Sequence, residues 1–117
     1  MSTASTGRAR EYKVRDDMIQ DGWEFIARAA ASKGPADLVM AHLEHGVALV
    51  QVGSKSKTLN EAGRERLCHA AELCSALPLL AIVVPRQPIA YYVVTRGTPA
   101  TWPTWPTRLQ LIKGETF

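Results

Sequence analysis

The sequence predicts an α/β domain in which helices pack on a mixed sheet. Three observations carry that prediction. The elements readable along the chain run helix, three strands, helix, two strands. The third strand, Val47 to Val52, is almost wholly apolar, as a central strand covered on both faces must be. The chain has 117 residues, which makes one domain, because two would leave each half too small for a core.

The first helix is read over residues 8–21, where Val14 and Met18 stand four apart and Tyr12 and Ile19 widen the apolar stripe. Asp21-Gly22 ends it, with the glycine in the usual post-helix position. Residues 1–6, polar and small, read as a disordered tail. Trp23 to Ala29 reads as a strand with Trp23, Phe25 and Ala27 on one face. Gly34-Pro35 marks a loop, Asp37 to Leu43 a second strand, and Glu44-His45-Gly46 the turn into the third. After a polar loop over residues 53–58, Asn60 is placed to cap a second helix running to about Ser75, with Leu67, Ala70, Ala71 and Cys74 on its inner face. Leu79 to Val84 and Ile89 to Thr95 are the last two strands, so the order is αβββαββ in a domain over residues 7–96. Residues 97–117, rich in Pro and Thr with Trp102 and Trp105, read as an irregular extension.

Composition excludes several classes. Hydrophobic residues make up 46% and charged residues 21%, which is globular rather than disordered usage. No apolar run approaches the roughly 20 residues of a membrane span. Met1 to Gly7 lacks the apolar stretch of a secretory signal. Cys68 and Cys74 lie about 240° apart around one helix, too far round to bond each other. Two free thiols without a signal fit a cytoplasmic protein. Cys68, His69 and Cys74 supply too few ligands for zinc. His42, His45 and His69 read as surface residues. Fourteen Lys and Arg against eleven Asp and Glu give a net charge of +3. Arg8, Arg10, Lys13 and Arg15 crowd the start, and Lys33, Lys55 and Lys57 follow in loops; they read either as a solvated surface or as phosphate contacts.

Two acids stand where acids are costly. Asp37 opens an otherwise apolar strand. A hairpin centred near Glu44 or His45 sets Asp37 opposite Gln51 or Gly53, with residue numbers summing to 88 or 90, and both registers put the pair on one face. Glu11 rides the stripe of Val14 and Met18 that faces the sheet. A buried carboxylate needs a partner. Either Arg28 neutralises it in an ion pair, or a divalent cation sits between Glu11, Asp37 and the Gln51 amide oxygen, since magnesium favours such oxygen ligands.

The stretches Gly7-Arg8-Ala9-Arg10-Glu11, Gly22-Trp23, Arg28 to Val39 and Leu49-Val50-Gln51-Val52 resemble the archaeal-type Holliday-junction resolvases, members of the PD-(D/E)XK nuclease superfamily. The resemblance covers residues 7 to about 95, and the Arg, Ser, Gly and Asp spacing over 28–37 is its most specific part. It implies a restriction-endonuclease-like fold, a central five-stranded mixed sheet flanked by helices. It also implies a homodimer that cuts four-way DNA junctions with Mg2+ or Mn2+ in recombination or repair, work that suits a phage as well as a cell. By the same resemblance Glu11, Ser32, Asp37 and Gln51 match the family's site, with Asp37, Gln51 and Glu11 toward the metal. The family's lysine falls on Gly53, so Lys55 or Lys33 is expected to replace it. Arg8, Arg10, Lys13, Arg15, Arg28, Lys33 and Lys57 are then the expected DNA contacts.

Trp102-Pro103-Thr104-Trp105-Pro106 lies beyond the resemblance. It reads as a hydrophobic strap, or else as a wedge or stacking platform for junction bases. Of Tyr91 and Tyr92, adjacent in a strand, one is expected in the core.

Overall fold

The computed structural model describes residues 3–28, 34–55 and 59–105. Ser32, Lys33 and Lys57 lie outside the described residues. Helix α1 spans Thr3–Gln20 and is followed by strands β1 (Glu24–Arg28), β2 (Leu38–His42) and β3 (Gly46–Gly53), helix α2 (Glu61–Cys74), and strands β4 (Leu77–Ile82) and β5 (Ala90–Val93). The strands lie side by side in chain order in one sheet. Only β3 and β4 run parallel, joined by the α2 crossover, and the other pairs are antiparallel. The expected architecture, a five-stranded mixed sheet with helices against it, is the one observed.

Helix α1 starts at Thr3, five residues before the start at residue 8 that the sequence suggests. Periodicity marks only the part of a helix that buries something, and residues 3–7 carry no large apolar side chain. The helix ends in a Schellman motif. Trp23 N donates to Met18 O at 3.1 Å, Gly22 N donates to Ile19 O at 3.0 Å, and Gly22 takes φ +95°. Trp23 and Met18 are both buried, so the motif also makes its customary apolar contact. At the start of α2 the Asn60 side chain accepts from Gly63 N at 2.7 Å. At its end Ser75 adopts the left-handed conformation (φ 52°), with Ala76 N bonded to Ala71 O. The inner face of α2 is Leu67, Cys68 and Ala71, while Cys74, expected there, is exposed.

The core has two layers, one on each side of the sheet. Val14, Met18 and Trp23 cover Leu38, Met40, Ala48, Val50, Val52, Leu79, Ala81 and Tyr91. Leu67, Cys68 and Ala71 cover Leu49, Leu80 and Ile82 on the other side. β3 is therefore central and covered on both faces. Tyr91 is the core tyrosine. Its hydroxyl donates to Asp17 Oδ2 at 2.7 Å, and burial, then this bond, pushes its ionisation far above the ordinary tyrosine range.

The Pro/Trp segment is a strap. Pro103 O accepts from Val93 N, Trp105 N donates to Tyr91 O, and Thr104 bridges to Tyr92, so the segment pairs along the outer edge of β5. Trp102 is buried in the α2-side layer, with Nε1 bonded to Gly97 O. Trp105 packs on the α1-side layer, edge-on to His45 at 5.2 Å and within 6.5 Å of Trp23. His42 and His45, expected at the surface, are half-buried in this cluster with ring centroids 4.5 Å apart. Among the described residues no strand pairs with the opposite sheet edge, β1, which carries a bulge between Phe25 and Ala27, one of the devices that discourage further pairing. Among the described residues no helix is long and apolar enough to cross a membrane.

Candidate functional site

The β2–β3 register is Leu38↔Val50 through His42↔Gly46, a residue-number sum of 88. That sum sets Asp37, just before the first paired residue, next to Gln51. Asp37 N donates to Val50 O at 2.8 Å, and its Oδ2 accepts from Val52 N at 2.8 Å. The carboxylate thus takes the place of the strand that β2 no longer supplies, and a charged acceptor makes that bond strong. Gln51 Nε2 donates to Pro35 O at 2.7 Å, which pins the loop before Asp37 onto β3. Asp37 is buried and Gln51 half-buried. Asp37 Oδ1 and Gln51 Oε1 accept no hydrogen bond from a described residue. Two hard oxygens therefore stand at one end of β3, one charged and one neutral.

Glu11 is held elsewhere. Its Oε1 lies 2.7 Å from Arg28 Nε, with side-chain exposures of 10% for the acid and 29% for the base. Arg28 ends β1 opposite Leu38, which belongs to the α1-side layer. By strand alternation Gln51 belongs with Leu49 on the α2 side. Of the two partners open to Glu11 in the sequence, the structure shows the arginine. The same bond engages Arg28, expected among the DNA contacts. Among the described residues no three of His, Cys, Asp and Glu are grouped to hold a metal ion. A divalent cation at this site would rest on Asp37 Oδ1, Gln51 Oε1, water and substrate oxygens. That donor set suits magnesium, which keeps several waters.

Gly53, at the expected lysine position, ends β3 buried, and its carbonyl accepts from Val83 N at 2.9 Å. Lys55 follows on an exposed turn, makes no ion pair with Asp37, and lines a pocket over β4 and β5. The four cations of α1 do not form one stripe. At about 100° per residue, Arg8 and Arg15 fall on one flank of the buried line Glu11–Val14–Met18, and Arg10 and Lys13 on the other. Arg15 is paired to Asp16 at 2.9 Å and lies over the Tyr12 ring at 4.7 Å. Helical arithmetic on the sequence alone would have separated these residues. Arg96 was not singled out in the sequence at all. It holds both Glu65 (2.6 Å) and Glu72 (2.9 Å) on α2, and pulls both carboxyls below their usual range. Glu65 and Glu72 stand seven apart, two full helical turns, which was the available signal.

Among solved structures, the 1.6 Å structure of Hjc from Archaeoglobus fulgidus, a Holliday junction resolvase from an archaeal hyperthermophile, superimposes with a TM-score of 0.65. The match covers 75% of this chain and 72% of that one, at 19% sequence identity. The protein has that fold. No protein-family model matches the sequence, and neither does any curated protein.

Proposed function

We propose that the protein is a metal-dependent, structure-specific endonuclease that hydrolyses phosphodiester bonds in four-way DNA junctions as a homodimer. What supports the reading is that Asp37 and Gln51 adjoin the last β2–β3 pair, Leu38↔Val50, each with one oxygen that accepts no hydrogen bond from a described residue, in a chain with the fold of a resolvase. Bound Mg2+ or Mn2+ would lower the pKa of a water and polarise a phosphate oxygen. Asp37 supplies the site's negative charge, and its bond from Val52 N fixes the direction of the other oxygen. Gln51 contributes a neutral oxygen, so the site carries one charge fewer than a pair of acids would. Glu11 acts through Arg28 as a positioning residue, tying α1 to the end of β1. Arg8, Arg10 and Lys13 hold phosphates, which positions the duplex and reads no sequence. The absence of a side chain at 53 removes one electrostatic group, a loss worth about 100- to 1000-fold in rate where nothing replaces it. Lys55, Lys33 and Lys57 are the replacements to test.

Gly53 and the Glu11–Arg28 pair together favour a second reading, a junction-binding protein whose hydrolytic activity is weakened or lost. Cleavage of a labelled four-way junction in Mg2+ or Mn2+, beside linear duplex, separates the two. Asp37→Asn is the control of choice, because an amide oxygen can still accept from Val52 N and keep the strand end closed. Paired cuts in the junction, lost in Asp37→Asn, support the enzyme. Tight junction binding without cuts in either metal refutes it and leaves the binder.

A further inference from the structure

Beside the strap, over β4 and β5, lies an open pocket of about 350 Å3, and the proposed hydrolysis leaves it without a task. Its floor is Leu80 and Tyr92, and its wall is Pro99, Ala100 and Trp102. The register places it. Gln51 pairs with Leu80 and Leu80 with Tyr92, so the three form one row across the sheet. Leu80 and Tyr92 belong to the α2-side layer, the side on which Gln51 lies by alternation. At about 4.8 Å per strand, Tyr92 stands roughly 10 Å from Gln51 along that row.

Two properties define the occupant. First, the walls are fixed and include two aromatic residues, Tyr92 and Trp102. Trp102 Nε1 is held by Gly97 O, Thr101 N and Oγ1 both bond Thr98 O, and Thr104 bridges to Tyr92. A pocket so preorganised suits a planar ring. Second, among the described residues the only charge lining it is Lys55, which makes no ion pair with any of them. A ring beside a single cation at the rim fits a base with its own phosphate. We infer that this pocket receives an unstacked base of the DNA strand at a branch point, laid against Tyr92 with its phosphate on Lys55. The inference rests on the nucleic-acid reading above and gives it a basis for choosing branched over linear DNA. In a continuous duplex every base is stacked, and none is free to enter. Trp102 is thereby part of the pocket wall, not a wedge driven into the DNA.

The test is binding in EDTA, where hydrolysis does not interfere. A four-way junction carries 2-aminopurine at the branch point, and a linear duplex carries it at the same sequence position. The wild-type protein should change the probe's fluorescence on the junction and not on the duplex. Tyr92→Ala, and separately Ala100→Phe, which fills the pocket, should abolish the change and weaken junction binding about tenfold. Tyr92→Phe should restore both, and thermal melts show which variants keep the fold. Wild-type signal and affinity in Ala100→Phe overturn the inference, as does a wild-type protein that leaves the probe unchanged or fails to bind the junction. A protein that binds with the full probe signal yet never cuts in Mg2+ or Mn2+ keeps the pocket and loses the nuclease.

Discussion

The Glu11–Arg28 pair makes a quantitative prediction that bears on both readings. Breaking a fully buried pair costs about 3–5 kcal/mol, and an exposed one contributes about 0–1 kcal/mol. Here the acid is 10% exposed and the base 29%, and the bond is 2.7 Å long. The guanidinium keeps partial contact with water, so the fully buried figure must be discounted to about 2 kcal/mol. The two truncations should not cost the same. Arg28→Ala strands a carboxylate that water barely reaches, whereas Glu11→Ala strands a guanidinium with nearly a third of its surface in solvent. Arg28→Ala should therefore cost more, about 2–3 kcal/mol against about 1–2 kcal/mol. At about 4 °C per kcal/mol for a domain of this size, the melting temperature of Arg28→Ala should fall by about 10 °C. Urea unfolding of the wild type, both single variants and the double variant gives the coupling directly. A coupling below about 0.5 kcal/mol, or a Glu11→Ala variant less stable than Arg28→Ala, would refute the reasoning. Glu11 would then have to be explained by what it does to substrate or metal.

Gln51→Glu sets a second carboxylate beside Asp37 and removes the donor to Pro35 O. It should melt below wild type in EDTA and recover with millimolar Mg2+, and equal recovery in wild type would show that the charge at 51 does not matter. Tyr91 is held neutral by burial and by Asp17, above the unfolded value of about 10. Below that value both states keep the proton; above it only the unfolded chain gives it up, so stability should fall as pH rises past about 10. Tyr91→Phe should flatten that fall while costing about 1 kcal/mol at neutral pH, as read by urea melts across pH. Ser75→Gly relieves a left-handed residue at the α2 terminus and should gain about 0.5–1 kcal/mol, whereas a loss would mean the serine side chain matters there.

The parts of the fold legible in the sequence were those set by local rules. The hairpin parity of β2 and β3 put Asp37 on one face with Gln51 and Gly53 because side chains alternate, and the observed register, with a sum of 88, selects Gln51. Asn60 and Gly22 marked helix ends because capping chemistry is local. The unread parts depend on what the chain meets far away. Cys74 and Cys68 share a helix, and only the position of the sheet decides which is buried. The bulge at Ile26 leaves no mark in a five-residue strand. The Arg96 clasp joins residues 24 and 31 apart, beyond any periodicity. The candidate site was legible as a pair of positions. Its charge balance was legible only as alternatives, because Glu11 on α1 could take either Arg28 or a cation, and Gly53 leaves the balancing cation to loops.

The strap has a consequence for how the chain is made. Trp102 and Trp105 are among the last described residues, yet one completes each hydrophobic layer. A chain emerging from the ribosome N-terminus first can assemble β1 to β5 and both helices while each layer still lacks its tryptophan from the strap. The outer edge of β5 then stands uncovered, with Tyr91 O and Val93 N unpaired until residues 103–105 arrive. That interval is when a nascent edge can capture a neighbouring chain. Trimming the gene before Trp102 to obtain a tidier protein would make the interval permanent.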